Sequence, residues 1–461
     1  MCRECITFAC MKKIKINPVL VLLLFYCLAG TAFGQSDKHL TDIFLQSLQR
    51  GTPPVADHAE YDPISPQNIV AARSQVWNAW VEANRLFNEA KLPRLTSLSS
   101  ETTGELVLPS KLEPSAVMNY YWGYKDSLAP NQQYPVFIYL HGSGPRDAEW
   151  STGLKLAKLF QDAPSIYFIP RIPNEKNYYR WWQRSKQWAW EWLLRQIFLT
   201  PAVNANRIYV FGISEGGYGS QRLASFYADY WAAAGPMAGG EPLRNAPAEN
   251  CANIGFSLLT GAEDNGFYRN ELSQLAATVF DSLQSVYPHA FKHRIELIPG
   301  RGHGIDYTPT TPWLCNFSRN PKPKMFLWED FEMDGRNRTG FYNLRINKRP
   351  CDTLRIYYEM EIIGNEINLN ISNVHYETTQ KDPTWGIELN FAKRYVPAHG
   401  GDLTLYLDEE LVDLSKKITV KVNGKRVFRG KVTCNRNSLI QSLATFYDPQ
   451  RIFPAAIEIH Y

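Results

Sequence analysis

Between residues 135 and 300, five short apolar and β-branched runs alternate with stretches of helical periodicity. The runs cover 136–140, 166–169, 208–211, 254–259 and 295–298, and the helical stretches cover 153–160, 186–198, 217–230 and 268–287. Strands that are buried on both faces of a sheet have such uninterrupted apolar runs, whereas half-exposed strands alternate. Repeated strand–helix–strand units connect parallel strands through right-handed crossovers. The pattern therefore predicts an α/β fold with a mostly parallel sheet that helices cover on both faces.

The segment that precedes these runs is predicted to be helical. The chain has 461 residues, which at roughly 150 residues per domain indicates two or three units. Residues 67–90 carry apolar side chains at helical spacing, and Pro93 would end that helix. We therefore expect residues 35–104 to form an N-terminal helical extension and residues 105–320 to form the α/β unit.

The segment that follows the runs is predicted to be all β. Helical periodicity stops at the Pro-Lys-Pro sequence of 321–323, and strand-like patterns follow at 354–361, 387–391, 403–407 and 418–422. Asn423 and Gly424 come after an alternating strand and predict a hairpin, because both residue types tolerate positive φ. Residues 321–461 are therefore expected to form a sandwich-like β-domain.

The N-terminus has the organisation of a secretory signal peptide. Lysines at 12, 13 and 15 precede an apolar run at 19–28, and residues 32–34 form a small-x-small cleavage site. This pattern predicts a signal peptide at 1–34, cleavage after Gly34, and a secreted or periplasmic protein; Met11 is an alternative start. The apolar run is shorter than the ~20 residues that span a bilayer, so stable membrane insertion is not expected.

Charge and metal-ligand patterns narrow the range of partners. The formal net charge is +4, and the chain has no run of five or more like charges, so a nucleic-acid partner is not expected. No Cys/His cluster has metal-ligand spacing, and neither a metal nor another cofactor is predicted.

Four cysteines remain after the predicted cleavage. An even number in an oxidising compartment is compatible with two disulfide bonds. We expect the pairs Cys251–Cys315 and Cys351–Cys434, with free buried thiols as the alternative.

The segment 212–216, which reads Gly-Ile-Ser-Glu-Gly, lies between a predicted strand and a predicted helix. A nucleophile on a sharp strand-to-helix turn needs small neighbours, because larger side chains would collide with the adjoining strand and helix. The helix N-terminus would also favour a developing anion. This context predicts Ser214 as a nucleophile; a tight glycine-rich turn with a solvated serine is the alternative.

A second glycine-containing segment, His-Gly-Ser-Gly-Pro at 141–145, follows the first strand of the series. An oxyanion next to such a nucleophile is held by two backbone N–H groups, one from the residue after the nucleophile and one from an earlier loop. Glu215 would supply the first N–H group, and Gly142 or Ser143 the second. His141 is interpreted as a structural hydrogen-bonding residue.

A serine needs an imidazole base and a carboxylate that fixes the imidazole tautomer. In this arrangement the acid precedes the histidine along the chain. Asp264 follows the strand predicted at 254–259 and is favoured over its neighbour Glu263, although an aspartate there could also cap the next helix. His303, which follows the last predicted strand, is the expected base.

With these residues, the chain resembles the secreted esterase and depolymerase-like branch of the α/β-hydrolase superfamily, and more distantly the catalytic domain of prolyl oligopeptidase-type peptidases. The resemblance covers about residues 105–318. It implies a triad of Ser214, Asp264 and His303, an acyl-enzyme intermediate, and no cofactor.

Aromatic residues at 178–182 provide the available indication of the substrate. Trp181 and Trp182 could stack on sugars or aromatic acyl groups, or instead pack in the core or form a lid. We expect a secreted serine esterase that removes acetyl or hydroxycinnamoyl groups from carbohydrate, with a small-molecule or polysaccharide ester as substrate. An exported prolyl oligopeptidase-type peptidase and a non-catalytic glycan-binding surface protein are the alternatives, and the sequence leaves the oligomeric state open.

Overall fold

An eight-stranded sheet forms the centre of the protein. The computed structural model describes residues 37–55 and 58–461, so the signal peptide predicted at 1–34 lies outside the described residues. The sheet has the order β1-β2-β4-β3-β5-β6-β7-β8. The six strands β3 to β8 run parallel to one another, whereas β1 pairs with β2, and β2 with β4, in antiparallel fashion. Its strands are β1 (Thr103–Val107), β2 (Val117–Lys125), β3 (Tyr134–Leu140), β4 (Ser165–Pro170), β5 (Val203–Ile213), β6 (Ala233–Met237), β7 (Gly255–Gly261) and β8 (His293–Ile298). The predicted mixed α/β class and the mostly parallel sheet are confirmed.

Helices cover both faces of this sheet, which explains why its inner strands β4, β6 and β7 are buried along their whole length. The helices are α1 (Lys38–Arg50), α2 (Ile69–Leu86), α3 (Arg146–Leu159), α4 (Arg184–Phe198), α5 (Glu215–Phe226), α6 (Arg269–Val286), α7 (Thr310–Leu314) and α8 (Arg436–Phe446). Along β3, Val136 and Ile138 belong to the apolar cluster on one face, and Phe137 and Tyr139 belong to the cluster on the other face. Successive side chains of β3 are thus buried on opposite faces of the sheet.

The central strand β6 is missing from the sequence prediction. It reads Ala-Ala-Gly-Pro-Met, and these residue types, apart from methionine, have low strand propensity. It is nevertheless fully buried between β5 and β7. Gly235 permits α7 to approach, because a Cβ at that position would lie 2.6 Å from the Thr310 side chain. Tertiary burial therefore overrides the local preference here.

The C-terminal third contains two further sheets. A four-stranded sheet has the order β10-β11-β15-β18, and a second has the order β17-β16-β13-β12-β9, with β14 paired to β13. The strands are β9 (Met325–Asp330), β10 (Gly340–Phe341), β11 (Leu344–Lys348), β12 (Arg355–Ile363), β13 (Glu366–Lys381), β14 (Glu388–Pro397), β15 (Asp402–Leu407), β16 (Ile418–Val422), β17 (Lys425–Gly430) and β18 (Ala455–His460). The hairpin predicted at Asn423 and Gly424 joins β16 to β17, and both residues have positive φ. Side chains from these sheets join the apolar cluster on one face of the central sheet, so this region is packed directly against that sheet.

The prediction that helical structure ends at residue 323 is wrong, because α8 lies within the C-terminal third. The Asn435 side chain caps this helix by accepting a hydrogen bond from the Ser438 N–H group. Leu439 and Leu443 lie four residues apart on its buried face. They pack with α1 and α2 in a third apolar cluster, so the two N-terminal helices contact a helix near the C-terminal end of the sequence.

A buried network of charges joins the central sheet region to the C-terminal third. The Asp229 carboxylate, just after α5, accepts hydrogen bonds from Arg338 at 3.0 Å and from Arg451 at 2.6 Å. Asp448 pairs with the same Arg451 at 2.8 Å and with Arg319 at 2.7 Å. All five side chains are buried. Buried charges are tolerated when each is paired and hydrogen-bonded, and this network meets that requirement.

The two predicted disulfide bonds are absent, and the four cysteines among the described residues are free thiols. Cys251 is buried in the apolar cluster on one face of the central sheet, whereas Cys315 packs against the cluster on the other face. The sheet therefore separates this pair. Cys351 and Cys434 each pack at the margin of the first cluster, and the Cys351 Sγ atom lies 3.3 Å from Thr353 Oγ1.

Across residues 37–55 and 58–461, no helix is both long enough and apolar enough to cross a membrane.

Candidate active site

Ser214 occupies the sharp turn between β5 and α5. Its backbone has φ 58° and ψ −114°, a conformation that costs a non-glycine residue free energy. A Cβ atom on Gly216 would overlap the carbonyl oxygen of Leu140, and one on Gly212 would lie 2.5 Å from the carbonyl oxygen of Gly216. Gly212 is therefore required for β5 to approach α5, and Gly216 is required for α5 to approach the end of β3. The turn presents Ser214 at the carboxyl end of β5, in front of the α5 N-terminus.

Ser214, His303 and Asp264 lie in hydrogen-bond contact. The His303 Nε2 atom is 3.0 Å from Ser214 Oγ, and His303 Nδ1 is 2.7 Å from Asp264 Oδ2. Because a carboxylate can only accept, Nδ1 carries the proton and Nε2 is free to accept the proton of the serine hydroxyl. The His303 side chain is half-exposed, while the Asp264 side chain is 4% exposed. The imidazole is therefore partly exposed to solvent and contacts a buried acid through Nδ1.

The structure also distinguishes Asp264 from Glu263. Glu263 is exposed, whereas the second Asp264 oxygen accepts a hydrogen bond from Arg269 Nη1 at 3.0 Å. The helix-cap alternative for Asp264 does not hold, since α6 begins at Arg269 with Tyr268 at the cap position. Asp264 thus has a fixed side chain with one oxygen aimed at His303.

The two segments predicted to supply oxyanion-binding N–H groups flank Ser214. Glu215 is the first residue of α5, and the first N–H groups of a helix have no partner within the helix. A Cβ atom on Gly142 would lie 3.5 Å from the Ser214 Cβ atom, so the loop after β3 passes directly beside the serine. Ser143 lines the same cavity as Ser214. The positions of Glu215, Gly142 and Ser143 are thus compatible with the predicted role.

His141 stabilises the loop after β3. Its side chain is buried, its Nε2 atom accepts a hydrogen bond from the Ile172 N–H group at 3.1 Å, and Nδ1 therefore donates to the Gly142 carbonyl at 2.8 Å. Burial lowers the pKa of His141 to about 4, so the ring is neutral at physiological pH. This is the structural role that the sequence indicates.

The two tryptophans predicted to contact substrate have different positions. Trp181 is fully buried, donates its ring N–H to the His141 carbonyl at 3.0 Å, and packs against Gly219 of α5. The prediction of a substrate contact for Trp181 is therefore wrong, and the core-packing alternative applies. Trp182 lines the Ser214 cavity, with the Arg222 guanidinium 3.9 Å from its ring centroid.

The cavity has a volume of about 830 Å³ and draws on distant parts of the chain. Its lining residues absent from the sequence prediction are mostly charged or aromatic: Arg180, Tyr218, Arg222, Glu241, Arg244, Asn245, Phe267, Arg269, Trp385 and Glu388. Trp385 and Glu388 come from the β13–β14 hairpin in the C-terminal third. Periodicity in the sequence gives no signal that this hairpin returns to the end of β5. No group of three or more histidine, cysteine, aspartate or glutamate side chains among the described residues could hold a metal ion.

The Glu215 side chain is buried beside the nucleophile. Its Oε2 atom lies 3.3 Å from Arg180 Nη1, and its Oε1 atom has no hydrogen-bond partner among the described residues. Burial raises the pKa of Glu215 to about 7, with Arg180 opposing the shift. Both the protonated and the ionised form of this carboxyl are therefore expected near neutral pH.

Replacing Glu215 with glutamine is expected to change how stability depends on pH. The pKa of this carboxyl is about 7 in the folded protein and near 4.5 when unperturbed, so between these values the folded state binds more protons than the unfolded state. The free energy of unfolding of the wild type should therefore contain a contribution on the order of 3 kcal/mol that is lost as the pH rises from about 4.5 to about 7. Glutamine cannot ionise, and Glu215→Gln should lack this loss. Urea unfolding of both proteins at pH 5 and pH 8 measures the difference; identical pH dependence would contradict the assignment.

Comparison with known proteins yields structural neighbours. No protein-family model and no curated protein matches the chain. A thermostable esterase is 20% identical, with a TM-score of 0.37 over 48% of this chain and 64% of that protein, so the chain spans less than two thirds of its length. A ferulic acid esterase from Anaeromyces mucronatus is 15% identical, with a TM-score of 0.32 over 48% of this chain and 89% of that protein. A candidate dipeptidyl aminopeptidase IV from Bacteroides ovatus is 14% identical, with a TM-score of 0.35 over 48% of this chain and 35% of that protein.

Proposed function

We propose that this protein is a serine hydrolase of the α/β-hydrolase superfamily that cleaves carboxylic esters. The observation that carries the proposal is the hydrogen-bonded series from Ser214 Oγ to His303 Nε2, at 3.0 Å, and from His303 Nδ1 to Asp264 Oδ2, at 2.7 Å. The series ends on a strained serine at a helix N-terminus, the position at which this superfamily holds its nucleophile. Strain of this kind is retained where the surrounding structure and the chemistry require it.

The geometry supports an acyl-transfer mechanism in two halves. His303 Nε2 takes the proton of Ser214 as Oγ attacks the ester carbonyl, and the N–H groups of Glu215 and of Gly142 or Ser143 stabilise the oxyanion. His303 then gives the proton to the leaving alkoxide, which departs as the alcohol and leaves an acyl-serine. In the second half His303 deprotonates a water molecule as it attacks the acyl carbonyl. His303 then returns this proton to Ser214 Oγ as the acyl–oxygen bond breaks, which releases the carboxylic acid and restores the serine hydroxyl. Asp264 holds the imidazole in the required tautomer throughout.

The proposed substrate is an acetyl or hydroxycinnamoyl ester of carbohydrate outside the cytoplasm. Support comes from Trp182 and Trp385 in a cavity that is otherwise rich in hydrogen-bonding side chains. The signal peptide predicted at 1–34 would export the protein to the compartment that contains extracellular polysaccharide. The appended C-terminal sheets contribute part of the cavity wall, as expected for a substrate larger than a simple ester.

A substrate panel tests the proposal. The purified processed protein is assayed against p-nitrophenyl acetate, acetylated xylan, methyl ferulate and dipeptide p-nitroanilides. We expect hydrolysis of p-nitrophenyl acetate and of at least one carbohydrate or hydroxycinnamoyl ester. Hydrolysis confined to the anilides would identify a peptidase instead. No turnover of any substrate, together with no labelling by a fluorophosphonate probe, would favour a non-catalytic binding protein.

A further inference from the structure

The hairpin between β13 and β14 brings Trp385 to the cavity of Ser214. The Trp385 side chain is 65% exposed and lines the cavity together with Gly386, Ile387 and Glu388. Its ring lies 5.2 Å from the ring of Phe267 in an edge-to-face contact, and Phe267 is itself 48% exposed. Two exposed aromatic rings in mutual contact at a cavity form an apolar surface that is available to a ligand.

The hairpin tip is fixed by polar contacts before any ligand binds. The buried Asp382 carboxylate accepts hydrogen bonds from the Tyr268 hydroxyl at 2.8 Å and from the backbone N–H group of Trp385. The Gly386 N–H group donates to the Asp382 carbonyl at 3.1 Å. These contacts fix the backbone of the hairpin tip, so less of the hairpin has to become ordered when a ligand binds.

The aromatic pair adjoins the acid of the proposed triad. Phe267 and Tyr268, both at positive φ, lie in the short connection between Asp264 and α6. The Arg269 guanidinium lies 5.3 Å from the Phe267 ring centroid and donates to Asp264 Oδ1 at 3.0 Å. A ligand on the Trp385 ring would therefore lie within the space that leads to Ser214.

The polar groups around the aromatic pair favour an uncharged, hydroxylated ligand. Arg222 pairs with Glu241 at 2.8 Å, and Arg244 pairs with Glu388. Because these charges neutralise each other, an ionic ligand would have to displace an existing ion pair. Hydroxyl groups can instead share the remaining donors and acceptors, including Asn245, without separating the pairs. An aromatic surface next to such groups complements a sugar ring, which has an apolar C–H face and a hydroxylated edge.

We propose that Trp385 and Phe267 form a sugar-binding subsite for the alcohol part of the ester. The proposal rests on the proposed esterase function and assigns the C-terminal third a direct role in substrate selection. A sugar ring stacks on the Trp385 indole while its hydroxyls bond to the paired side chains Arg244 and Glu388, and the acyl group points toward Ser214.

The test compares Trp385→Ala and Trp385→Phe with the wild type on two kinds of substrate. For acetylated xylo- and manno-oligosaccharides, Trp385→Ala should raise KM by about tenfold with little change in kcat, since ring stacking is lost. Trp385→Phe should recover part of the loss. For p-nitrophenyl acetate, whose alcohol part is a nitrophenyl ring without sugar hydroxyls, KM should rise less than for the oligosaccharides, and fluorophosphonate labelling of Ser214 should occur in both variants. Unacetylated oligosaccharides should inhibit p-nitrophenyl acetate hydrolysis competitively in the wild type and less strongly in Trp385→Ala.

Tyr395→Ala is the matched control. Tyr395 is a 43% exposed aromatic residue on the same hairpin, in β14, and packs on Tyr357 away from the cavity. This variant should keep the wild-type KM on every substrate.

If the wild type hydrolyses p-nitrophenyl acetate, the proposed function stands. In that case any one of three outcomes would overturn the subsite. The first is an unchanged KM for acetylated oligosaccharides in Trp385→Ala. The second is a KM increase confined to methyl ferulate, which would place the indole on the acyl side. The third is a wild type that neither hydrolyses nor is inhibited by any oligosaccharide. Loss of p-nitrophenyl acetate hydrolysis in the wild type would instead overturn the proposed function.

Discussion

Replacing Ser214 with alanine is expected to lower kcat on p-nitrophenyl acetate by about four to six orders of magnitude. The substitution removes Oγ, the proposed nucleophile, and the proton that His303 Nε2, 3.0 Å from Oγ, is proposed to accept. The residual rate would come from oxyanion binding and substrate positioning. Alanine has the same backbone restrictions as serine at φ 58°, so the melting temperature should change little. Steady-state kinetics and thermal unfolding measure the two effects, and mass spectrometry after fluorophosphonate treatment should locate the adduct on Ser214.

Ser220→Ala provides a control for this substitution. Ser220 lies in the same helix α5, is buried, and donates its hydroxyl to the Gly217 carbonyl at 3.1 Å. Its loss should leave turnover within a few-fold of the wild type. If Ser214→Ala retained turnover within tenfold, another residue would have to be the nucleophile.

Replacing Asp264 with asparagine is expected to lower kcat by about four orders of magnitude. The asparagine amide group can donate to His303 Nδ1 at the position where the carboxylate accepts, 2.7 Å away. This would shift the imidazole proton to Nε2, so that His303 could no longer accept the Ser214 proton. Steady-state kinetics on p-nitrophenyl acetate check the result, and binding of methyl ferulate should be retained, because Asp264 is buried behind His303.

Glu263→Gln is the matched control for Asp264→Asn, since the two carboxylates are adjacent and each substitution removes one charge. Glu263 is exposed, and its N–H group bonds to the Arg301 carbonyl at 2.8 Å, a contact that glutamine keeps. Activity of Glu263→Gln should equal that of the wild type. The reverse result, with loss confined to Glu263→Gln, would exclude Asp264 as the acid.

Much of the proposed triad could be predicted because its signals are local. Each of Ser214, Asp264 and His303 follows a strand, and the carboxyl ends of parallel strands meet at one edge of the sheet. The conformation of the nucleophile turn follows from glycines that lie within two residues of the serine. The order of these residues along the chain and their positions after strand ends were therefore sufficient to predict that the three side chains lie close together.

The parts that could not be predicted depend on contacts between distant segments. β6 has residues of low strand propensity and forms because neighbours on both sides supply its hydrogen bonds. The position of Trp181 depends on where α5 packs, and that of Trp385 depends on how the β13–β14 hairpin docks. The predicted disulfide bond between Cys251 and Cys315 failed because sequence spacing does not show which face of a sheet a residue occupies. In each case the deciding interaction is non-local, whereas periodicity and propensity are local.

The Asp229 carboxylate has its counter-ions in the second half of the chain. Arg338 and Arg451 both lie beyond residue 320, where the strand pattern of the sequence changes, yet they neutralise a charge that is buried next to α5. A variant truncated at residue 320 would keep Asp229 and lose both Arg338 and Arg451. The buried carboxylate would then have no counter-ion, which costs several kcal/mol of folding free energy. The part of the chain before residue 320 is therefore not expected to fold stably without the C-terminal third. Recombination at that boundary would have to carry over two arginines in matching positions, so the two halves are expected to be inherited and to diverge together.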